Sequence, residues 1–206
     1  MAKKDLTELV FILDKSGSMA GLEADTVGGY NSVLRKNREL PGEATVSTVL
    51  FDQRVRVLHD RLPIAKVPDM ELASFQPGGC TALLDAVGGA ISYHSTMQKV
   101  LPEELRAGHV LFVIVTDGYE NASKSYTYPQ VKHLIESRRE RGWEFVFLAA
   151  GIDVAEEAER LGVAADCAMP YVATPEGTLE MYDAVFRASA IMRDGGNVAG
   201  GLTPRG

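Results

Sequence analysis

The chain has 206 residues, 46% of them hydrophobic, and its 21 Lys and Arg against 28 Asp and Glu give a formal net charge of −7. A mildly acidic chain of this length predicts one compact domain and excludes the concentrated basic face that nucleic acid or anionic lipid requires. The longest apolar runs, Leu9 to Leu13 and Val110 to Val115, have strand length, far short of the ~20 residues that span a bilayer.

Lys3 and Lys4 precede the first apolar run, but it stops at Asp14, so no export signal is expected. Cys80 and Cys167 lie far apart, outside any Cys-x-x-Cys or Cys/His spacing, so neither a disulfide framework nor a zinc site is indicated. A reducing cytoplasmic setting is the expectation.

Glu8 to Asp14 is a continuous apolar run closed by an acid, the pattern of a strand covered on both faces in a parallel sheet. A helix is expected over Leu22 to Arg38, then a β-branched strand over Ala44 to Phe51. Asp52-Gln53 leads straight into the alternating Arg54 to Leu58, too short a connection for a crossover, so a hairpin places one antiparallel strand at the sheet edge. A helix over Ala82 to Val100 precedes a second acid-closed apolar run, His109 to Asp117. The helix Pro129 to Arg141, the strand Glu144 to Ala149 and the helix Ala155 to Leu161 continue the alternation. A short strand over Asp166 to Met169 and a helix over Glu176 to Met192 complete it. Strands and helices in alternation predict a Rossmann-like three-layer α/β/α domain, its central sheet mostly parallel. The domain is expected over residues 1–193, with 194–206 a flexible Gly-rich tail.

In open parallel sheets ligands sit beyond the carboxyl ends of the strands, where the strand order reverses. The first strand ends in Asp14-Lys15-Ser16-Gly17-Ser18 and the fourth in Asp117-Gly118, while the turn-rich Pro77-Gly78-Gly79-Cys80-Thr81 brings Thr81 towards the same rim. The spacing Asp-x-Ser-x-Ser sets alternate side chains on one side of an extended turn. Asp14, Ser16, Ser18, Thr81 and Asp117 form an oxygen-only set. Few carboxylates with several hydroxyls suit a hard divalent cation, magnesium or manganese in preference to calcium.

Other readings compete. Asp14, Ser16 and Ser18 are good formers of caps for the helix near Leu22. Gly118 to Ser125 nearly fits a phosphate loop, but Ser123 replaces its second glycine and Tyr126 to Pro129 reads as loop where a helix should begin. A phosphatase using Asp14 as nucleophile needs a second acid two residues on, where Ser16 stands. His59, His94, His109 and His133 are scattered and read as core or surface residues.

Asp14-x-Ser16-x-Ser18, Thr81 and Asp117-Gly118 together resemble the metal-ion-dependent adhesion site of von Willebrand factor type A domains, at all five ligand positions. The resemblance extends over roughly Leu6 to Met192, and within the family the chain is similar to bacterial, intracellular, single-domain members. It implies Ser16, Ser18 and Thr81 as direct or nearly direct ligands, with Asp14 and Asp117 binding directly or through water. It also implies a non-enzymatic module that binds a protein partner presenting Asp or Glu. A magnesium-dependent hydrolase on the same rim, or a structural module whose metal only fastens the rim, stand as alternatives. Tyr119, Tyr126 and Tyr128 follow Asp117 closely, and two readings stay open for them, packing residues or rim contacts for a partner.

Overall fold

The computed structural model describes residues 3–203. One sheet has the order β3-β2-β1-β4-β5-β6. Its strands are β1 (Lys3–Asp14), β2 (Glu43–Phe51), β3 (Val55–Pro63), β4 (Ala107–Thr116), β5 (Trp143–Ala149) and β6 (Ala168–Pro170). All neighbours pair in parallel except β2 and β3, the expected edge hairpin.

Central position follows from composition. Leu9 to Ile12 on β1 and Leu111 to Ile114 on β4 are wholly buried, as unbroken apolar strands must be when both faces are covered. On the edge strand β3, Val55 and Val57 are exposed, and the register slips twice opposite Thr48. β3 continues past its expected end at Leu58, and Arg61 takes a left-handed backbone with φ 49°. That bend delivers Arg61 to Glu8, a fully buried carboxylate that also meets His94 Nδ1 at 2.9 Å and Gln98 Nε2 at 3.1 Å. Burial alone would raise the Glu8 carboxyl, but His94 and Arg61 outweigh it and hold it below the ordinary value.

The helices are α1 (Glu23–Arg38), α2 (Leu83–Val100), α3 (Tyr128–Arg139), α4 (Val154–Leu161), α5 (Pro175–Arg193) and α6 (Ala199–Leu202). α1 packs on α5, and α2, α3 and α4 pack in series, completing three layers around the sheet. The α1–α5 approach depends on Gly29, where a Cβ would lie 2.2 Å from the Tyr182 ring.

The segment from Asp194, expected as a flexible tail, instead docks as far as it is described. Val198 and Leu202 are buried, and Arg187 Nε donates to the Gly201 carbonyl at 2.9 Å. Glycine itself makes the contact: a Cβ on Gly201 would lie 2.3 Å from the Ala188 nitrogen. Composition reads as disorder here because two apolar residues suffice once the backbone can approach so closely. Residues 204–206 of that expected tail lie outside the described residues.

Chain order runs outward from β1 to β2 and β3, then returns to place β4 on the other side of β1. The reversal falls between β1 and β4, whose carboxyl ends carry Asp14 and Asp117.

Candidate metal centre

β1 delivers Asp14 to the rim fully buried, and the chain then turns sharply. Ser16 N donates to Asp14 Oδ1 at 2.7 Å, which bends residues 14–16 so that Ser16 Oγ faces Ser18 Oγ at 3.1 Å. Ser18 in turn donates to Asp117 Oδ1 at 2.5 Å. The second Asp14 oxygen accepts from Thr116 Oγ1 at 2.6 Å, which ties the ends of β1 and β4 together.

Thr81 enters from between two clamps. On one side Gly78 N donates to Lys15 O, Gly17 N to Gly79 O, and Cys80 N to Gln53 Oε1. Gly79 is required there: its φ is +75°, and a Cβ would lie 1.6 Å from Gln53 Oε1. Lys15 pairs with Asp52 across the same turn. On the other side Thr81 N donates to Asn121 Oδ1 at 2.9 Å, while the amides of Asn121 and Ala122 donate to Thr81 O. A Cβ on Gly118 would lie 3.5 Å from Ser18 Oγ and 3.6 Å from Thr81 Oγ1, so Thr81 shares this space with Ser18. All five expected residues are thus brought onto one rim, grading from buried Asp14, Ser16 and Thr81 to half-buried Asp117 and exposed Ser18.

The competing local readings fare differently. Neither serine hydroxyl caps a helix: the short turn after Ser16 and α1 after Leu22 both lack a side-chain cap. The near-phosphate loop is spent on the protein's own carboxylates, because Lys124, Ser125 and Tyr126 donate their amides to Asp85 while Ala122 and Ser123 donate to Glu120. Glu120 also accepts from Leu84 N at the start of α2. The structure divides the tyrosines between the two readings. Tyr119 is half exposed on the rim and accepts from Asp153 N, but Tyr126 covers Gly88 with its hydroxyl on Ser92, and Tyr128 donates to buried Glu157 beneath the Arg160 guanidinium. Both turn inward because α2 and α4 each offer a polar partner beside an apolar bed.

Thr116 does not stand out in the sequence, although a hydroxyl closing an otherwise apolar strand, one residue before Asp117, is the signal that could have found it. Tyr171 likewise escapes sequence reasoning: its buried hydroxyl finds no hydrogen-bond partner among the described residues.

Electrostatically the rim favours a cation. Burial raises the Asp14 carboxyl above its ordinary value despite the bonds from Thr116 and Ser16. Burial also raises Asp117, against the Ser18 hydrogen bond and with the charge of Asp14 pushing the same way. A positive charge between them would relieve both causes. Among the described residues no three His, Cys, Asp or Glu converge to hold a metal, so hydroxyls and water must supply the rest of any shell, as hard cations accept. A groove of about 990 Å³ lies between β6, α5 and α6, lined in part by Met169, Val172 and Leu202, but the converging oxygens are on the rim.

No family model matches the chain, and no curated protein does. Solved structures do match. Proximal thread matrix protein 1 from the mussel byssus, in a form with a zinc-occupied MIDAS motif, aligns with TM-score 0.62 and 16% identity over 89% of this chain and 46% of its own. A von Willebrand factor type A protein from Catenulispora acidiphila gives 0.60 and 16% over 92% and 43%. The pilus adhesin SpaC from Lactobacillus rhamnosus GG gives 0.67 and 11% over 92% and 31%. The chain spans less than half the length of these proteins. Its fold is that of von Willebrand factor type A domains.

Proposed function

We propose that the rim is a divalent-cation-dependent adhesion site through which the protein binds an Asp or Glu side chain of a protein partner, and that it acts without catalysis. The observation that carries this reading is the convergence of Asp14, Ser16, Ser18, Thr81 and Asp117, with both carboxylates raised by burial. The space that a Gly118 Cβ would enter between two hydroxyls, and the hard-oxygen donor set, fit magnesium or manganese. Ser16, Ser18, Thr81 and the two aspartates would hold the ion. Once bound, it supplies positive charge to draw one further anionic oxygen, because two carboxylates only neutralise it. Thr116 and the clamps around Thr81 keep the donors in place. The occurrence of a zinc-occupied MIDAS motif in a byssus protein of the same fold supports the reading.

Thermal unfolding of wild type and Asp117→Ala, in chelator and in millimolar magnesium, manganese or calcium, tests it. A ligand at 100 times its dissociation constant adds about 2.7 kcal/mol to the native state, and the shift should appear in wild type alone. A panel of Asp- and Glu-containing peptides should then bind only with metal present, and their Asn and Gln counterparts should not. No metal shift in wild type, or peptide binding indifferent to chelator, overturns the proposal.

A further inference from the structure

Tyr171 stands one step along the rim from Asp117. Pro170, the last residue of β6, pairs with Ala149 at the end of β5, and Tyr171 N then donates to Ala149 O at 3.0 Å. The next residue, Ala150, donates its amide to Thr116 O at 3.1 Å. Gly151 carries the chain so close to Asp117 that a Cβ there would lie 3.4 Å from the Asp117 carbonyl. Tyr171 is therefore joined through two backbone bonds to the strand end that holds both Thr116 and Asp117.

Tyr171 is 9% exposed, and its hydroxyl is buried without a partner among the described residues. A hydroxyl removed from water without a hydrogen bond costs about 1–3 kcal/mol, so such an atom calls for an account. Other hydroxyls share the condition, among them Thr26 on α1, Thr45 on β2, Ser95 on α2, and Thr178 and Tyr182 on α5. Tyr171 differs from them in its neighbours. The charges of Asp117 and Asp14 both bear on its phenol, and it interacts electrostatically with Tyr182, which is more deeply buried. Burial and those two negative charges keep the Tyr171 proton on, well above the ordinary phenol range. At working pH the group is a neutral donor within the field of two carboxylates, and it is hydrogen-bonded to neither.

We infer that Tyr171 is a positioning residue of the metal rim: its O–H is held ready to donate to the oxygen, from water or a partner's carboxylate, that enters beside Asp117 and Asp14. The inference rests on the cation reading above. A phenol suits this place better than a lysine would, because it supplies a donor without adding a positive charge that would compete with the cation. A phenylalanine would keep the packing and lose only the donor.

The test is Mn²⁺ affinity by titration, for wild type, Tyr171→Phe and Tyr182→Phe, with the stability of each protein measured in chelator. Loss of one hydrogen bond predicts Mn²⁺ binding weakened about five- to tenfold in Tyr171→Phe. In chelator that variant should be as stable as wild type or slightly more so, since an unpaired hydroxyl has gone. Tyr182→Phe, which removes an equally unpaired hydroxyl further inside, should bind Mn²⁺ as wild type does. Equal affinity in Tyr171→Phe and wild type overturns the inference while leaving the cation reading intact. Weakening accompanied by lost stability in chelator, or shared by Tyr182→Phe, makes the effect structural and overturns it too. Absence of binding by wild type itself overturns the cation reading and this inference with it.

Discussion

The Ser18 hydroxyl donates a hydrogen bond to Asp117 Oδ1 at 2.5 Å although 99 positions separate the two residues. Parallel neighbours β1 and β4 make the meeting possible, because strands pointing the same way put their carboxyl ends, and the turns that follow, on one edge. The hydrogen bond pairs Ser18 with Asp117 in the cation-free protein; under the proposed function a cation would take the place of its proton.

Thr116→Val should separate support from ligation. Thr116 donates to the buried Asp14 at 2.6 Å, and its removal leaves that carboxylate short of a partner. A loss of about 1–3 kcal/mol in urea unfolding is expected in chelator, with a weaker Mn²⁺ titration beside it. Unchanged stability would mean that Asp14 finds another donor.

Gly118→Ala should do the reverse. A Cβ there would make only ordinary contacts, at 3.5 Å to Ser18 Oγ and 3.6 Å to Thr81 Oγ1, and the backbone is not left-handed. The fold should hold to within about 0.5 kcal/mol, while a methyl group between two donor hydroxyls abolishes the metal-induced rise in melting temperature. Retention of that rise would place the ion elsewhere.

The pH dependence of the cation-free rim has a definite sign. Burial, with the charge of Asp14 behind it, holds Asp117 above its ordinary value of 3.8, so the native state binds a proton more readily than the unfolded chain. The stability this contributes is complete below that ordinary value and is lost as pH rises through the native one. Measured in chelator between about pH 3 and pH 7, wild type should therefore lose stability relative to Asp117→Asn as pH increases. The opposite slope would mean that the hydrogen bond from Ser18 outweighs burial.

Glu8 obeys the other sign. His94 and Arg61 overcome the burial that would raise it and hold its carboxyl below 4.5, so its contribution is present above that value and disappears as acid protonates it. Glu8→Gln leaves Arg61 without its buried partner and should cost about 3–5 kcal/mol at neutral pH, with a flatter acid limb in the unfolding curve. Glu8 lies six residues before Asp14 on β1, about 20 Å along the strand, so Mn²⁺ affinity should not change.

Much of this arrangement was legible in the chain because it rests on short-range pattern. The unbroken apolar runs of β1 and β4 exposed their central positions, and the alternation after Gln53 exposed the edge hairpin. Asp14, Ser16 and Ser18 could be grouped by their spacing, whereas Thr81 and Asp117 joined them only once a parallel sheet was assumed. What stayed hidden depends on contacts between distant segments. Nothing local distinguishes Tyr126, which folds over Gly88, from Tyr119, which stays on the rim. The buried Glu8 looked like the first residue of a strand because its partners come from β3 and α2. The docking of Val198 and Leu202 was masked by the glycines that permit it.

Asp85 and Glu120 lock the loop after β4 and the start of α2 to each other, each carboxylate collecting amides from the other's segment. The conformational freedom of those loops is therefore surrendered during folding and is not charged against association. Under the proposed function, an incoming acidic side chain would meet loops already tied in place and would give up mainly its own motion. On that reading capture would approach the rate at which the two surfaces collide in a suitable orientation, and the lifetime of the complex would follow how readily the last oxygen is exchanged for water.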